Sequence, residues 1–326
     1  MLKKLSKKGE YTQIFIICIV MLLFYFTPSV PLFEKNQQYV IGPLGNWLIQ
    51  QALINPLLTK VIMMLMMVFI SFFINRLAAA SDIFPKQSFL SVTLLISIFL
   101  FTPELPYLTL NIALVTLMGV CLGSMMNIFG KQYPYLQVLN ASMTIAVASM
   151  IIPQMIFFII FIWIGFLTYS VNSWREWLIS FIGLIIPYIY LSFAYFWNDN
   201  FGNLLILYKS FLHLNLFIHT LPSIYILVPL ALMALLYLIS AFNFTNDASD
   251  KIISIRKRMW LISQFSIISV IMLILFGSST YLMLPVLFIP LSLMVAYAIH
   301  NQKKSRLYDI FITLFVGSVL ISRIFA

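Results

Sequence analysis

Apolar runs of span length, separated by short polar breaks, fill most of the chain. A membrane-crossing helix needs about 20 mostly apolar residues. Eleven segments meet that need, at roughly 12–28, 58–76, 87–102, 106–128, 135–152, 154–171, 177–197, 221–243, 259–277, 279–299 and 307–325. The predicted fold is an all-α, polytopic transmembrane bundle forming one integral membrane domain over residues 1–326. The narrowest break is Ile151 to Gln154, where Pro153 either separates two spans or kinks one. A single helix of about 35 residues is too long for one crossing, so two spans are expected.

Two polar breaks are much longer than the rest, residues 27–57 and 198–220. The first holds "GPLGNWLIQQALI", Gly42 to Ile54, in which Leu44, Trp47, Leu48 and Gln51 recur at helical spacing after Pro43. This predicts a short surface helix with Trp47 as its membrane anchor. The second holds Asn203 to His219, long enough to suggest a span but interrupted by Lys209, His213 and Asn215. It reads as an interfacial or re-entrant helix.

Composition settles the class. The chain is 62% hydrophobic and 9% charged, against about 25% charged in a soluble fold, and its mean hydropathy is +1.03. The net charge of +10 does not indicate nucleic acid, because the cations flank spans. With the N-terminus inside, the inner segments hold Lys3, Lys4, Lys7, Lys8, Arg76, Lys86, Lys131, Arg175, Lys251, Arg256, Lys257, Arg258, Lys303, Lys304 and Arg306, which is 15 of the 19 basic residues. The outer side keeps Lys35, Lys60, Lys209 and Arg323. This asymmetry predicts an N-terminus in, C-terminus out protein of a bacterial inner membrane, with both long breaks outside. A twelfth crossing at Asn203–His219 would place Lys251–Arg258 outside, so that segment is not expected to cross. The apolar stretch Ile14 to Phe26 lacks a small-residue cleavage site and reads as an uncleaved first helix.

Candidate chemistry is sparse. Cys18 and Cys121 lie in apolar runs, and His213, His219 and His300 form no metal-ligand spacing; no metal and no cofactor is expected. Glu10, Asp82, Glu176, Asp247, Asp250 and Asp309 fall inside, and Glu34, Glu104 and Asp199 outside. None lies in the middle of a span, which argues against a proton-coupled transporter. Glu34 is the candidate general base, able to deprotonate an acceptor hydroxyl while an activated donor's lipid stays in the bilayer. Its alternative is a solvated acid paired with Lys35. Glu104, between two prolines, and Asp199, in "FWNDN", are lesser catalytic candidates whose alternative is a turn. Lys35, Trp47, Lys209 and His213 are the candidate substrate- or lipid-contacting residues. The most distinctive local pattern is "SWREWLISFIGLIIPY", Ser173 to Tyr188. In it Arg175 is the inside charge, Glu176 its neighbour, and Trp174 and Trp177 an aromatic belt. Gly183 permits close helix approach, and Pro187 and Tyr188 relax the helix near the outer face.

Two resemblances follow. The stretch "NASMTIAVASMIIPQMIFFIIFIWIGFL" through "NSWREWLISFIGLIIPY", with "FINRL" and "FTPEL" upstream, is similar to a multi-pass inner-membrane family of Bacteroidota without an assigned activity. A beta-carotene monooxygenase label sometimes attached to that family has no physical basis here, since the chain lacks a His-rich iron site. The order of one helix, a long acidic outer loop with a surface helix, six spans and a second long outer loop resembles GT-C glycosyltransferases. That resemblance implies a GT-C-like arrangement, a polyprenyl-phosphate-linked sugar donor and a catalytic acid at Glu34. The chain departs from the pattern in having Lys35 where a second acid would stand, and in lacking an outer soluble domain. The alternatives are a non-catalytic membrane subunit of an envelope biogenesis or export complex, and a lipid or glycan-lipid translocator. Expected partners are membrane lipids, such a glycolipid, or other envelope membrane proteins, and no nucleic acid.

Overall fold

The computed structural model describes residues 41–80, 83, 105–171, 173–199, 202, 224–276, 280–301 and scattered positions between 310 and 318. The expected spans 12–28, 87–102 and 307–325, most of the loop before Ile41, and segment 203–219 lie outside the described residues, apart from those scattered positions. Every described element is helical. In chain order they are α1 (Pro43–Ile54), α2 (Pro56–Ala80), α3 (Leu105–Met126), α4 (Tyr135–Ile151), a 3₁₀ turn (Pro153–Phe158), α5 (Ile159–Tyr169), α6 (Trp174–Trp197), α7 (Ile224–Ala248), α8 (Ile253–Leu275) and α9 (Thr280–Asn301). Five of them, α2, α3, α6, α7 and α8, are long and apolar enough to cross a membrane. This is a helical membrane protein, and α4, α5 and α9 are shorter apolar helices packed among the five.

Contacts between helices set their directions. Gly119 faces Phe73 and Gly123 faces Leu77, so α2 and α3 run parallel. Gly183 faces Ser142, and Tyr188 Oη lies 2.6 Å from Ser149 Oγ, so α4 and α6 are also parallel. The turns after α3, α5 and α7 meet at one end: the Phe129 and Tyr169 rings are 6.0 Å apart, and Lys257 Nζ lies 5.9 Å from the Phe129 ring. Lys251 Nζ, 5.9 Å from the Tyr297 ring, brings the end of α9 there as well. We refer to this as the basic end. Residues 81–104 therefore join opposite ends of the bundle. Residues 198–223 leave from and return to the same end, the one opposite the cations.

The core runs through α3, α4, α5, α8 and α9, and Phe158, Phe161, Phe166, Phe244, Phe265, Phe276 and Phe288 are its largest fully buried apolar side chains. Residues Met283–Ala298 of α9 are buried throughout, despite Pro285 and Pro290 inside the helix. Proline removes a backbone hydrogen bond, which a membrane protein tolerates where neighbouring helices cover the break. Buried serine hydroxyls bond within their own helices. Ser263 Oγ donates to Met259 O at 3.1 Å, Ser269 Oγ to Phe265 O at 2.8 Å and Ser292 Oγ to Ile289 O at 2.8 Å. A few polar pairs tie helices together: Gln264 Nε2 donates to Thr168 Oγ1 at 2.7 Å, and Tyr237 Oη to Ser266 Oγ at 3.1 Å. Each such bond is worth about 0.6 kcal/mol on average in a membrane protein.

Candidate functional site at the reversal between α4 and α5

The chain doubles back at the end opposite the cations. Helix α4 stops at Ile151, Ile152 is extended (φ −125°, ψ 111°), and Pro153 opens the 3₁₀ turn. Proline disfavours the helical conformation for the residue before it, which accounts for the extended Ile152. The break leaves carbonyls at the end of α4 without helical donors. One is satisfied from outside: Gly42 N donates to Ile151 O at 2.8 Å. A side chain on Gly42 would run into the Met150 carbonyl, and one on Gly45 would lie 2.8 Å from Ile151 O. Glycine is therefore required at both positions by the close approach of backbone to backbone.

These contacts seat α1. Gly45 and Ala52 are buried, seven residues apart on one face. Trp47 is exposed, and so are Leu53, Ile54, Leu57 and Leu58 further along. A helix is thus present at Pro43–Ile54, where one was expected, with Trp47 facing out; its fully buried residues, Gly45 and Ala52, are small, and Leu44, Leu48 and Ile49 pack against the core beside them.

Gln154, the second residue of the 3₁₀ turn, has no exposed surface. Neither Nε2 nor Oε1 has a hydrogen-bond partner among the described residues. An amide buried this way costs about 1–3 kcal/mol for each unsatisfied group. The residues that follow pack apolar, Phe157 against Phe276 (5.3 Å between rings) and Phe158 against Phe265 (5.5 Å).

Beside the reversal, α6 presents a groove of about 670 Å³, lined by Ile156 of the 3₁₀ turn and by α6 residues from Phe181 to Phe196. The α6 lining recurs at three- and four-residue spacing, through Leu184, Ile185, Tyr188, Ile189, Ser192 and Phe193. Two features of α6 shape it. Pro187 cannot donate to the carbonyl of Gly183, four residues earlier. Gly183 lets α4 approach until its Cβ position is 3.1 Å from Leu139 O. The groove spans 16 of the 24 residues of α6, about 22 Å at 1.5 Å per residue. It leaves out the first seven residues, at the basic end, and reaches almost to the other end of the helix. Its polar features are Ser192 and the Tyr188–Ser149 pair. Trp174 and Trp197 end the helix with 67% and 76% of their surfaces exposed. They are 23 residues apart, about 35 Å along the axis, which brackets a hydrocarbon core of about 30 Å.

The other sequence candidates are distributed as follows. Asp199 is exposed, and its positive φ of 52° with its N–H donating to Phe196 O at 3.1 Å makes it the residue that turns the chain out of α6. Arg175 is exposed in the first turn of α6, while Glu176 beside it is only 3% exposed and its Oε2 has no partner among the described residues. Trp177 packs inward, 6.0 Å from the Trp163 ring and 5.4 Å from Phe166. Of the two expected belt residues, only Trp174 faces out. Glu34, Lys35, Glu104, Lys209 and His213 lie outside the described residues. No group of acids, cysteines and histidines able to hold a metal occurs among the described residues.

The sequence reading did not anticipate Gln154 or Ile156. A glutamine after Ile151–Pro153 reads as an exposed turn residue. The usable signal was the shortness of the break, since a two-residue reversal between apolar runs buries whatever follows the proline. No protein-family model, curated protein or solved structure matches this chain.

Proposed function

We propose that this protein binds the hydrocarbon chain of a membrane lipid in the α6 groove, and that it handles a lipid-linked substrate at the membrane face beside the reversal. The observation that carries this reading is the position of the groove. It is apolar, it opens on the exposed face of a membrane-crossing helix, and it is displaced toward the end of that helix away from the cations, leaving out the first seven residues. With the positive end inside, it opens mainly to the outer leaflet of a bacterial inner membrane. The full arrangement we propose has eleven spans, with the N-terminus in and the C-terminus out. The common start and finish of residues 198–223 supports a second outer loop.

The enzymatic form of this reading is a GT-C-like transfer of sugar from a polyprenyl-phosphate donor. Glu34 would act as the base that takes the acceptor's hydroxyl proton, with Lys35 near the donor phosphate. A general base contributes roughly 10²–10⁴ in rate. The test is a Glu34→Gln variant, reconstituted with an isoprenyl-phosphate-linked sugar and a hydroxyl acceptor. Loss of transfer at unchanged lipid binding supports the enzyme. Lipid binding without transfer in the parent protein leaves a translocator or an envelope-complex subunit. Absence of lipid binding removes the whole proposal.

A further inference from the structure

We infer that the basic end is a binding surface for the headgroups of anionic lipids, built where the turns after α3, α5 and α7 converge. This surface is separate from the groove and does not rest on the function proposed above. Three observations lead to it.

The first is convergence. Phe129, in the turn after α3, stacks at a tilt on Tyr169 at the end of α5 (6.0 Å), and Lys257 of α8 extends over its ring (5.9 Å). Lys131 follows two residues after Phe129, and Arg175 lies in the first turn of α6, six residues after Tyr169. The turn after α3, the start of α6 and the start of α8 thus bring cations to one end of the bundle.

The second is imbalance. The described cations around these turns and the start of α8 are Lys131, Arg175, Lys251, Arg256, Lys257 and Arg258, against the carboxylates of Glu176, Asp247 and Asp250. Glu176 is turned into the protein. Among the described residues, Lys131, Arg175, Arg256 and Lys257 have no ion-pair partner. Helix dipoles offset only part of this charge. The starts of α4, α6 and α8 cancel the ends of α3, α5 and α7 in pairs, and the ends of α2 and α9 add about half a negative charge each, which leaves the surface net positive. At the opposite end the described residues include one cation, Lys60, and one acid, Asp199.

The third is depth. The cations sit at the termini of membrane-crossing helices, beside the exposed Trp174. Arg256 and Lys257 are half-buried, their stems along the protein and their charges at its edge. That is the headgroup layer, where lipid phosphates are always present, so a lipid fits better than a soluble acidic segment. Each such cation near an anionic surface is worth about 1 kcal/mol, about fivefold in binding.

The experiment retains lipid on the purified full chain and counts it by native mass spectrometry, from membranes of phosphatidylglycerol and phosphatidylcholine mixed equally. We expect phosphatidylglycerol to be retained at least 25-fold over phosphatidylcholine, and 0.5 M salt to reduce the preference. The double variant Arg256→Gln/Lys257→Gln should lose roughly 25-fold of that preference if the two charges act independently, and Lys60→Gln should lose none. Equal retention of the two lipids by the parent protein overturns the proposal, whether or not the variants fold. So does an equal loss in Lys60→Gln. Binding of a polyglutamate peptide in pure phosphatidylcholine, without a preference for phosphatidylglycerol, would assign the surface to an acidic protein instead.

Discussion

Gln154 and Glu176 sit at opposite ends of the bundle, and both are buried polar side chains with atoms that lack a partner among the described residues. Their surroundings differ. Glu176 lies in the first turn of α6, next to the exposed Arg175 in sequence. Gln154 lies in the 3₁₀ turn between the end of α4 and two buried or half-buried phenylalanines, Phe157 and Phe158, and is neutral. The two ends therefore differ: one carries the charge, while the other is held by glycine contacts and adjoins the groove.

The sharpest way to break this contrast is at the glycine clamp. Gly42→Val should be the most damaging change, because its side chain meets backbone carbonyls that cannot move aside. Overpacking a well-filled site costs about 1–3 kcal/mol, occasionally more, and this one also threatens the Gly42–Ile151 hydrogen bond. Thermal unfolding in detergent should show a large drop in midpoint. Gly130→Ala, in the turn at the basic end, meets open space. The cost there is confined to backbone strain at φ 82°, about 1–2 kcal/mol. Equal destabilisation by the two would remove the distinction between a clamped end and an open one.

Gln154→Leu should act in the opposite direction. Replacing an amide that has no partners by an apolar group of similar size should be neutral or stabilising, by up to about 3 kcal/mol. We expect a raised unfolding midpoint. A fall would mean that the amide is hydrogen-bonded in the working protein. The smallest effect is expected at Tyr188→Phe, which removes the hydroxyl's bond to Ser149, worth about 0.6 kcal/mol. Ser149 Oγ keeps its own bond to Ala146 O at 2.6 Å, so the loss should be close to the limit of detection by unfolding, yet should change the chemical character of the groove floor.

Much of this organisation was legible in the sequence, for a physical reason. In a membrane, backbone groups must be satisfied within each helix, so helix existence follows from apolar length alone. The segments expected at 106–128, 135–152 and 279–299 appear as Leu105–Met126, Tyr135–Ile151 and Thr280–Asn301. The close approach at Gly183 and the turn role of Asp199 were readable from residue type. The partners of each helix were not readable. Trp177 and Trp174 look equivalent in "SWREW", yet one packs on Trp163 and the other faces out. Which tryptophan is buried depends on α5, and no local pattern encodes that. The same holds for the burial of Glu176, which its place beside Arg175 does not indicate. The groove depends on Ile156 meeting α6, a contact set by the reversal.

The central claim is that a lipid chain occupies the α6 groove. A photoactivatable isoprenyl lipid, incorporated into membranes holding the full-length protein and mapped after illumination by peptide mass spectrometry, tests it directly. The account predicts labels concentrated at Ile156 and between Phe181 and Phe196, and lost in a Ser192→Trp variant that fills the groove. Labels spread evenly over the other exposed apolar faces, such as Leu57–Phe72 of α2 and Leu227–Phe242 of α7, and unchanged by Ser192→Trp, would contradict it.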